Sequence, residues 1–258
     1  MAAELFGAQK IVDCSHVIDE NTFSFMGVPL NRTAVYTVEE HGFGKDKFEL
    51  GCDVGAHLDS PGHFILGGRL IDELTPEELT ARAAVIDVTS KVEAQADGNY
   101  GLTVEDIQEW EAKFGEIPAR SLIVMKTGWD ARMGTPSYVN FDSEAGAYYF
   151  PGFLPEASQW LLDNRDIVGL AIDTPSTDIG TSTEYGSHLA ILGADKFNLE
   201  NLTLAEVPEG KDSVFVALPV NIKDAPETPV RVMAIVGMSA GTYILAACSA
   251  LIATMLVF

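Results

Sequence analysis

Residues 53–64 read DVGAHLDSPGHF. They gather two of the chain's five histidines, His57 and His63, around Asp59, with Gly55, Pro61 and Gly62 as punctuation. In an extended backbone, residues two apart point to the same side, so the His57 imidazole and the Asp59 carboxylate face one point. Zn²⁺ and Mn²⁺ accept both ligand types. The Pro61-Gly62 pair predicts a turn that folds His63 back toward the same centre. Asp59-Ser60-Pro61-Gly62 is also a good turn by itself, so spacing alone leaves a structural turn and a metal site both open.

Outward from this stretch, strand and helix patterns interleave. KIVDCSHVI (10–18) predicts a first strand. TAVYTVEEH (33–41) and DKFELGCDV (46–54) alternate apolar and polar residues, as half-buried strands do. TPEELTARA (75–83) predicts a helix start, with Pro76 at its first position and Glu77 and Glu78 in its first turn. AAVIDVTS (83–90), SLIVMKTGW (121–129) and IVGLAIDTPS (167–176) are compact apolar runs of strand type. TVEDIQEWEAKFG (103–115) has Val104, Ile107, Trp110 and Phe114 at helical spacing, with Thr103 as its cap. LPEASQWLLDNRD (154–166) predicts a further helix, and residues 212–222 and 228–237 the final strands. The class is α/β in one catalytic domain, residues 1–237.

Composition narrows the function. With 16 basic and 38 acidic residues the formal charge is −22, and no basic cluster interrupts it. Such a chain repels phosphate backbones, which excludes nucleic acid as a partner. Cys14, Cys52 and Cys248 form neither a CxxC pair nor a disulfide framework, and the N-terminus lacks a basic region followed by an apolar run. Both features point to the cytoplasm. Cys52, close to the motif, is read as a small buried hydrophobe. Residues 238–258 carry no charge and are roughly as long as the ~20 residues a membrane-spanning helix needs. Gly, Ser and Thr dilute their hydrophobicity, so a membrane-associated tail and a buried closing helix both stay open.

A second polar stretch, 173–202, contains His188 and Glu200 in a run crowded with Ser, Thr, Asp and Gly. Its sequence reads as a loop of the kind that carries sites on a rigid scaffold. Taken alone, His188 is a turn residue and Glu200 a solvated or capping carboxylate.

The sequence resembles the cyclase family of metal-dependent hydrolases, which includes bacterial kynurenine formamidase, isatin hydrolase and a trans-dienelactone hydrolase. The family motif is His-x-Gly-Thr-His-x-Asp-x-Pro-x-His; here it reads Asp53, Gly55, Ala56, His57, Asp59, Pro61, His63. The likeness continues through GGRLIDEL (67–74), AAVIDV (83–88), IVMKTGW (123–129), FPGF (150–153), GLAIDTPSTD (169–178), HLAILGADKFNLENL (188–202) and PVRVMAIV (229–236), in order. It implies a swivelling β/β/α fold, a homo-oligomer, one or two divalent ions (Mn²⁺ or Zn²⁺), and hydrolysis of an amide or ester carbonyl in a small, often aromatic substrate. N-formylkynurenine, isatin and unsaturated lactones are the examples. By the same resemblance His57, Asp59, His188 and Glu200 match metal ligands, and His63 matches a proton shuttle. Asp53 stands where the family has a first histidine ligand, and Ala56 replaces a threonine. An aspartate ligand shifts preference toward Mn²⁺. TFSFMG (22–27) lies where relatives often carry a Trp-Pro-Gly-like segment, so Phe25 is expected to flank a planar substrate. The departures at 53 and 56 also raise an alternative: a catalytically lapsed binding or membrane-tethered scaffold.

Overall fold

A computed structural model describes residues 7–28 and 30–237. The strands are β1 (Lys10–Asp13), β2 (Asn31–Tyr36), β3 (Lys45–Glu49), β4 (His57–Asp59), β5 (Thr80–Asp87), β6 (Gly101–Leu102), β7 (Ser121–Lys126), β8 (Phe141–Asp142), β9 (Ala147–Tyr148), β10 (Gly152–Phe153), β11 (Ile167–Ile172), β12 (Phe197–Glu200), β13 (Gly210–Pro219) and β14 (Glu227–Val236). The helices are α1 (Val38–His41), α2 (Thr89–Glu93), α3 (Val104–Phe114), α4 (Pro155–Asn164) and α5 (Gly186–Gly193).

The main sheet runs β1-β14-β13-β5-β7-β11-β12-β4, and β4 pairs again with β14, closing seven strands into a barrel. β5, β7, β11 and β12 are mutually parallel; the other pairings are antiparallel. The central strands read as continuous apolar runs because both faces are covered. On β5, Ala83 and Val85 join one apolar cluster while Ala84 and Ile86 join another; β7 divides Leu122 and Val124 from Ile123 and Met125 in the same way. The first cluster draws on every barrel strand and fills the interior. The second lies outside, where Ile107 and Trp110 of α3, Leu161 of α4 and Ile191 of α5 pack on the sheet. Thr103 caps α3 as expected, its hydroxyl accepting the Asp106 N–H.

Three expectations change. The helix predicted at Thr75 closes a single turn, with Leu79 N bonded to Thr75 O at 3.2 Å. Strand pairing then overrides the cap, because Thr80 and Ala81 are already in register with Val216 and Phe215 of β13. β2 and β3 form a separate hairpin whose residues are mostly exposed rather than half-buried, and residues 38–41 leave the strand as α1. The stretch 173–202 is not all loop; it contains α5 and β12. No helix among the described residues is long and apolar enough to cross a membrane. The expectation for residues 238–258 lies outside the described residues.

Candidate metal centre and active site

β4 is three residues long, yet it sets the site. Leu58 faces the barrel interior, so His57 and Asp59 face the opposite side. Its two neighbours bring carboxylates to that side by register. Glu200 of β12 stands opposite His57, and Glu227 of β14 stands opposite Asp59. Directly opposed residues share a face, so three strands converge their polar side chains there. His188 arrives from α5, which packs against β12 and the short 3-10 turn Pro61–His63.

The imidazoles are both aimed. His57 Nδ1 lies 3.0 Å from the carbonyl of Gly55, whose positive φ of 61° a side chain would strain. His188 Nδ1 lies 2.6 Å from Asp178 Oδ2, and Asp178 also accepts the N–H groups of Ser187 and His188. Each Nε2 is thereby left to face the carboxylates. His57 Nε2 is 3.6 Å from Asp59 Oδ1 and 3.4 Å from Glu200 Oε2; His188 Nε2 is 3.4 Å from Asp59 Oδ2 and 3.2 Å from Glu200 Oε1. Each carboxylate offers one oxygen to each histidine. Glu200 Oε1 also takes the Thr177 N–H at 2.6 Å.

This cluster fits a divalent cation. Asp59 is 1 % exposed, yet neither of its carboxylate oxygens has a hydrogen-bond partner. A buried carboxylate without donors is costly unless a cation meets it. Burial opposes charge on both imidazoles, but the carboxylates outweigh it: His57 rises to about 10 and His188 well above its ordinary value. Burial would likewise raise Glu200, but His188 and His57 hold it below the ordinary carboxylate range. Glu227 is pushed up by burial and by the charge of Asp59. The site calls for positive charge. Histidine held by a carboxylate or carbonyl at its other nitrogen is also the usual way a protein orients a metal-binding imidazole.

His63 is half-buried at the rim, its Nδ1 3.9 Å from Glu227 Oε2 and its ring against Phe64. Gly62 allows the turn that carries it, since a Cβ there would meet Leu70 at 2.4 Å. The cluster opens into a cavity of about 620 Å³ walled by Phe25, Phe64, Tyr148, Phe150 and Tyr185. Phe25, about half exposed, meets Phe23 and Tyr148 edge-on with ring centres 4.7 and 5.9 Å away.

Asp53 borders the cavity, and its carboxylate also holds a neighbouring turn. Oδ1 accepts the Ser24 hydroxyl at 2.6 Å, and Oδ2 accepts the N–H of Phe25 at 2.5 Å and of Met26 at 3.3 Å. Among the described residues, the two groups whose donor atoms lie within 4.8 Å of one another are Asp59, His63, His188 and His57, Asp59, Glu227; neither includes Asp53 or Glu200. Ala56 is buried in the interior apolar cluster. Cys52 is no core residue: its Sγ donates to Glu227 Oε1 at 2.9 Å, and burial pushes the thiol up to about 12, so it stays protonated. Asp178 and Glu227 are missing from the candidates that the sequence supplies. Asp178 ends the GLAIDTPSTD stretch and could have been sought as the partner of His188; no local pattern marks Glu227.

The "Putative cyclase" family model matches residues 12–179. Isatin hydrolase of Roseibium aggregatum is 30% identical over 251 residues, covering 90% of this chain and 94% of that protein. Kynurenine formamidase of Polaromonas naphthalenivorans is 28% identical over 229 residues, covering 86% and 89%. The crystal structure of an isatin hydrolase bound to the product analogue thioisatinate matches with a TM-score of 0.82 at 28% identity, covering 92% of this chain and 95% of that one. The chain belongs to the cyclase family of metal-dependent hydrolases. It has the family's α/β fold and is a hydrolase of an amide-type carbonyl in a small substrate, and its His/Asp/Glu cluster could hold a divalent metal.

Proposed function

We propose that this enzyme opens the ring of a small aromatic cyclic amide, with isatin the first compound to test and N-formylkynurenine and unsaturated lactones the alternatives. The observation that carries the reading is the convergence of two oriented imidazoles and a partnerless buried carboxylate beneath an aromatic cavity. His57, Asp59, His188 and Glu200 would hold the metal. Because each carboxylate offers an oxygen to each imidazole, the set suits two ions, and its oxygen content favours Mn²⁺ over Zn²⁺. A divalent cation bound there supplies a water acidic enough to ionise near neutral pH and a charge that polarises the substrate oxygen.

The chain's own residues do the rest. His63 stands at the cavity edge, free to take the proton from the attacking water and return it to the departing nitrogen. Phe25 and Tyr148 hold the planar ring, and Asp53 fixes Phe25 through its backbone N–H. Phe25→Ala should therefore raise KM roughly two- to twelvefold with kcat little changed, the size of one aromatic contact worth about 0.5–1.5 kcal/mol. An unchanged KM across aromatic substrates would remove Phe25 from the site. Turnover screening of the three substrate types with Mn²⁺ or Zn²⁺ tests the whole reading; no ring opening of isatin by metal-loaded protein would refute the substrate assignment.

The exposed hairpin presents Val35, Tyr36, Phe43 and Phe48, which suits contact between copies of the chain in a homo-oligomer. β14 ends at Val236 with the barrel closed, which suits residues 1–237 as the catalytic domain; we place it in the cytoplasm and read the uncharged stretch 238–258 as an added, membrane-associated tail. A chain ending at Gly237 should stay soluble and active and sediment as an oligomer. Aggregation or loss of turnover would instead make the tail part of the folded core.

A further inference from the structure

We propose that Glu227, at the start of the last barrel strand, is a metal ligand of this enzyme beside His57 and Asp59. The proposal rests on the metal-site reading above and extends it to a residue outside the expected ligand set. Three observations carry it. Register sets Glu227 opposite Asp59 on the face that carries the cluster. Donor atoms of His57, Asp59 and Glu227 lie within 4.8 Å of one another, and two donors about 2.1–2.2 Å from a shared cation are themselves roughly 3–4.4 Å apart. The Asp59 carboxylate is buried and accepts no hydrogen bond.

Both Asp53 oxygens are already engaged with the turn at residues 24–26. Glu227, by contrast, is tied through one oxygen. The Cys52 thiol donates to Oε1, while Oε2 has His63 Nδ1 3.9 Å away. Its side chain is 12 % exposed, so a carboxylate there has little water to solvate it. A cation satisfies Glu227 and Asp59 together.

The test counts Mn²⁺ by elemental analysis and titration calorimetry in wild type, Glu227→Gln, Asp53→Asn and Asp59→Asn. Melting of each in chelator establishes that it folds. Glu227→Gln should hold one Mn²⁺ fewer than wild type, or bind it at least about tenfold more weakly, while Asp53→Asn keeps the wild-type count. Glu227→Gln with wild-type stoichiometry and affinity overturns the proposal, as does an ion lost from Asp53→Asn instead. Asp59→Asn separates the two levels. If it too binds like wild type, the metal-site reading fails and the proposal with it; if it loses metal while Glu227→Gln does not, the proposal alone is wrong.

Discussion

Asp59→Asn should leave purification without bound metal and without turnover. The substitution keeps the shape of the side chain and removes its charge. It also turns one of two cation-facing oxygens into an NH₂ donor. Asp59 has no hydrogen-bond partner to compensate, and it stands between His57 Nε2 at 3.6 Å and His188 Nε2 at 3.4 Å. His57→Ala should do the same by deleting one of those imidazoles. The effect has a second readout that needs no substrate. A ligand that binds the folded state at a hundredfold excess over Kd stabilises it by about 2.7 kcal/mol, roughly 5–10 °C in Tm for a domain of this size. Wild type should show that rise with added Mn²⁺, and both variants should show none. A full metal content in either variant would sink the ligand assignment.

His63→Ala should keep its metal and lose roughly 10²–10⁴-fold in kcat, the usual contribution of a positioned acid–base group. His63 sits outside the innermost set, a quarter exposed, with Glu227 on one side and Phe64 on the other. Its donor atom nonetheless comes within 4.8 Å of those of Asp59 and His188. The competing role is therefore a ligand, and metal content decides between them. Loss of metal along with activity would make His63 a ligand. A fall of less than about tenfold in kcat at saturating metal would deny it the proton-transfer role.

The barrel's central strands were legible because apolar runs covered on both faces leave a plain mark, and α3 because Thr103 and the 3.6-residue spacing agree. The same logic failed at Thr75, where cap residues open a helix that pairing with β13 ends after one turn. α5 carries no capping side chain; its start is Tyr185 at a φ of 51°, so nothing local separates it from the surrounding polar loop. Within the site, His57 and Asp59 follow from the two-residue period of a strand. His188 and Glu200 were visible only through family resemblance, because α5 and β12 bring them in from far along the chain. Glu227 was not visible at all, because its place depends on β14 closing the barrel onto β4. At Asp53, residue type and position suggest a ligand; its partners Ser24 and two backbone N–H groups became visible only in the fold.

The most direct test is isatin hydrolysis by protein stripped of metal with a chelator and then titrated with Mn²⁺, with turnover and bound metal measured on the same samples. Turnover should vanish on stripping and return in proportion to the ions bound. Undiminished ring opening by protein with no measurable metal would contradict the account.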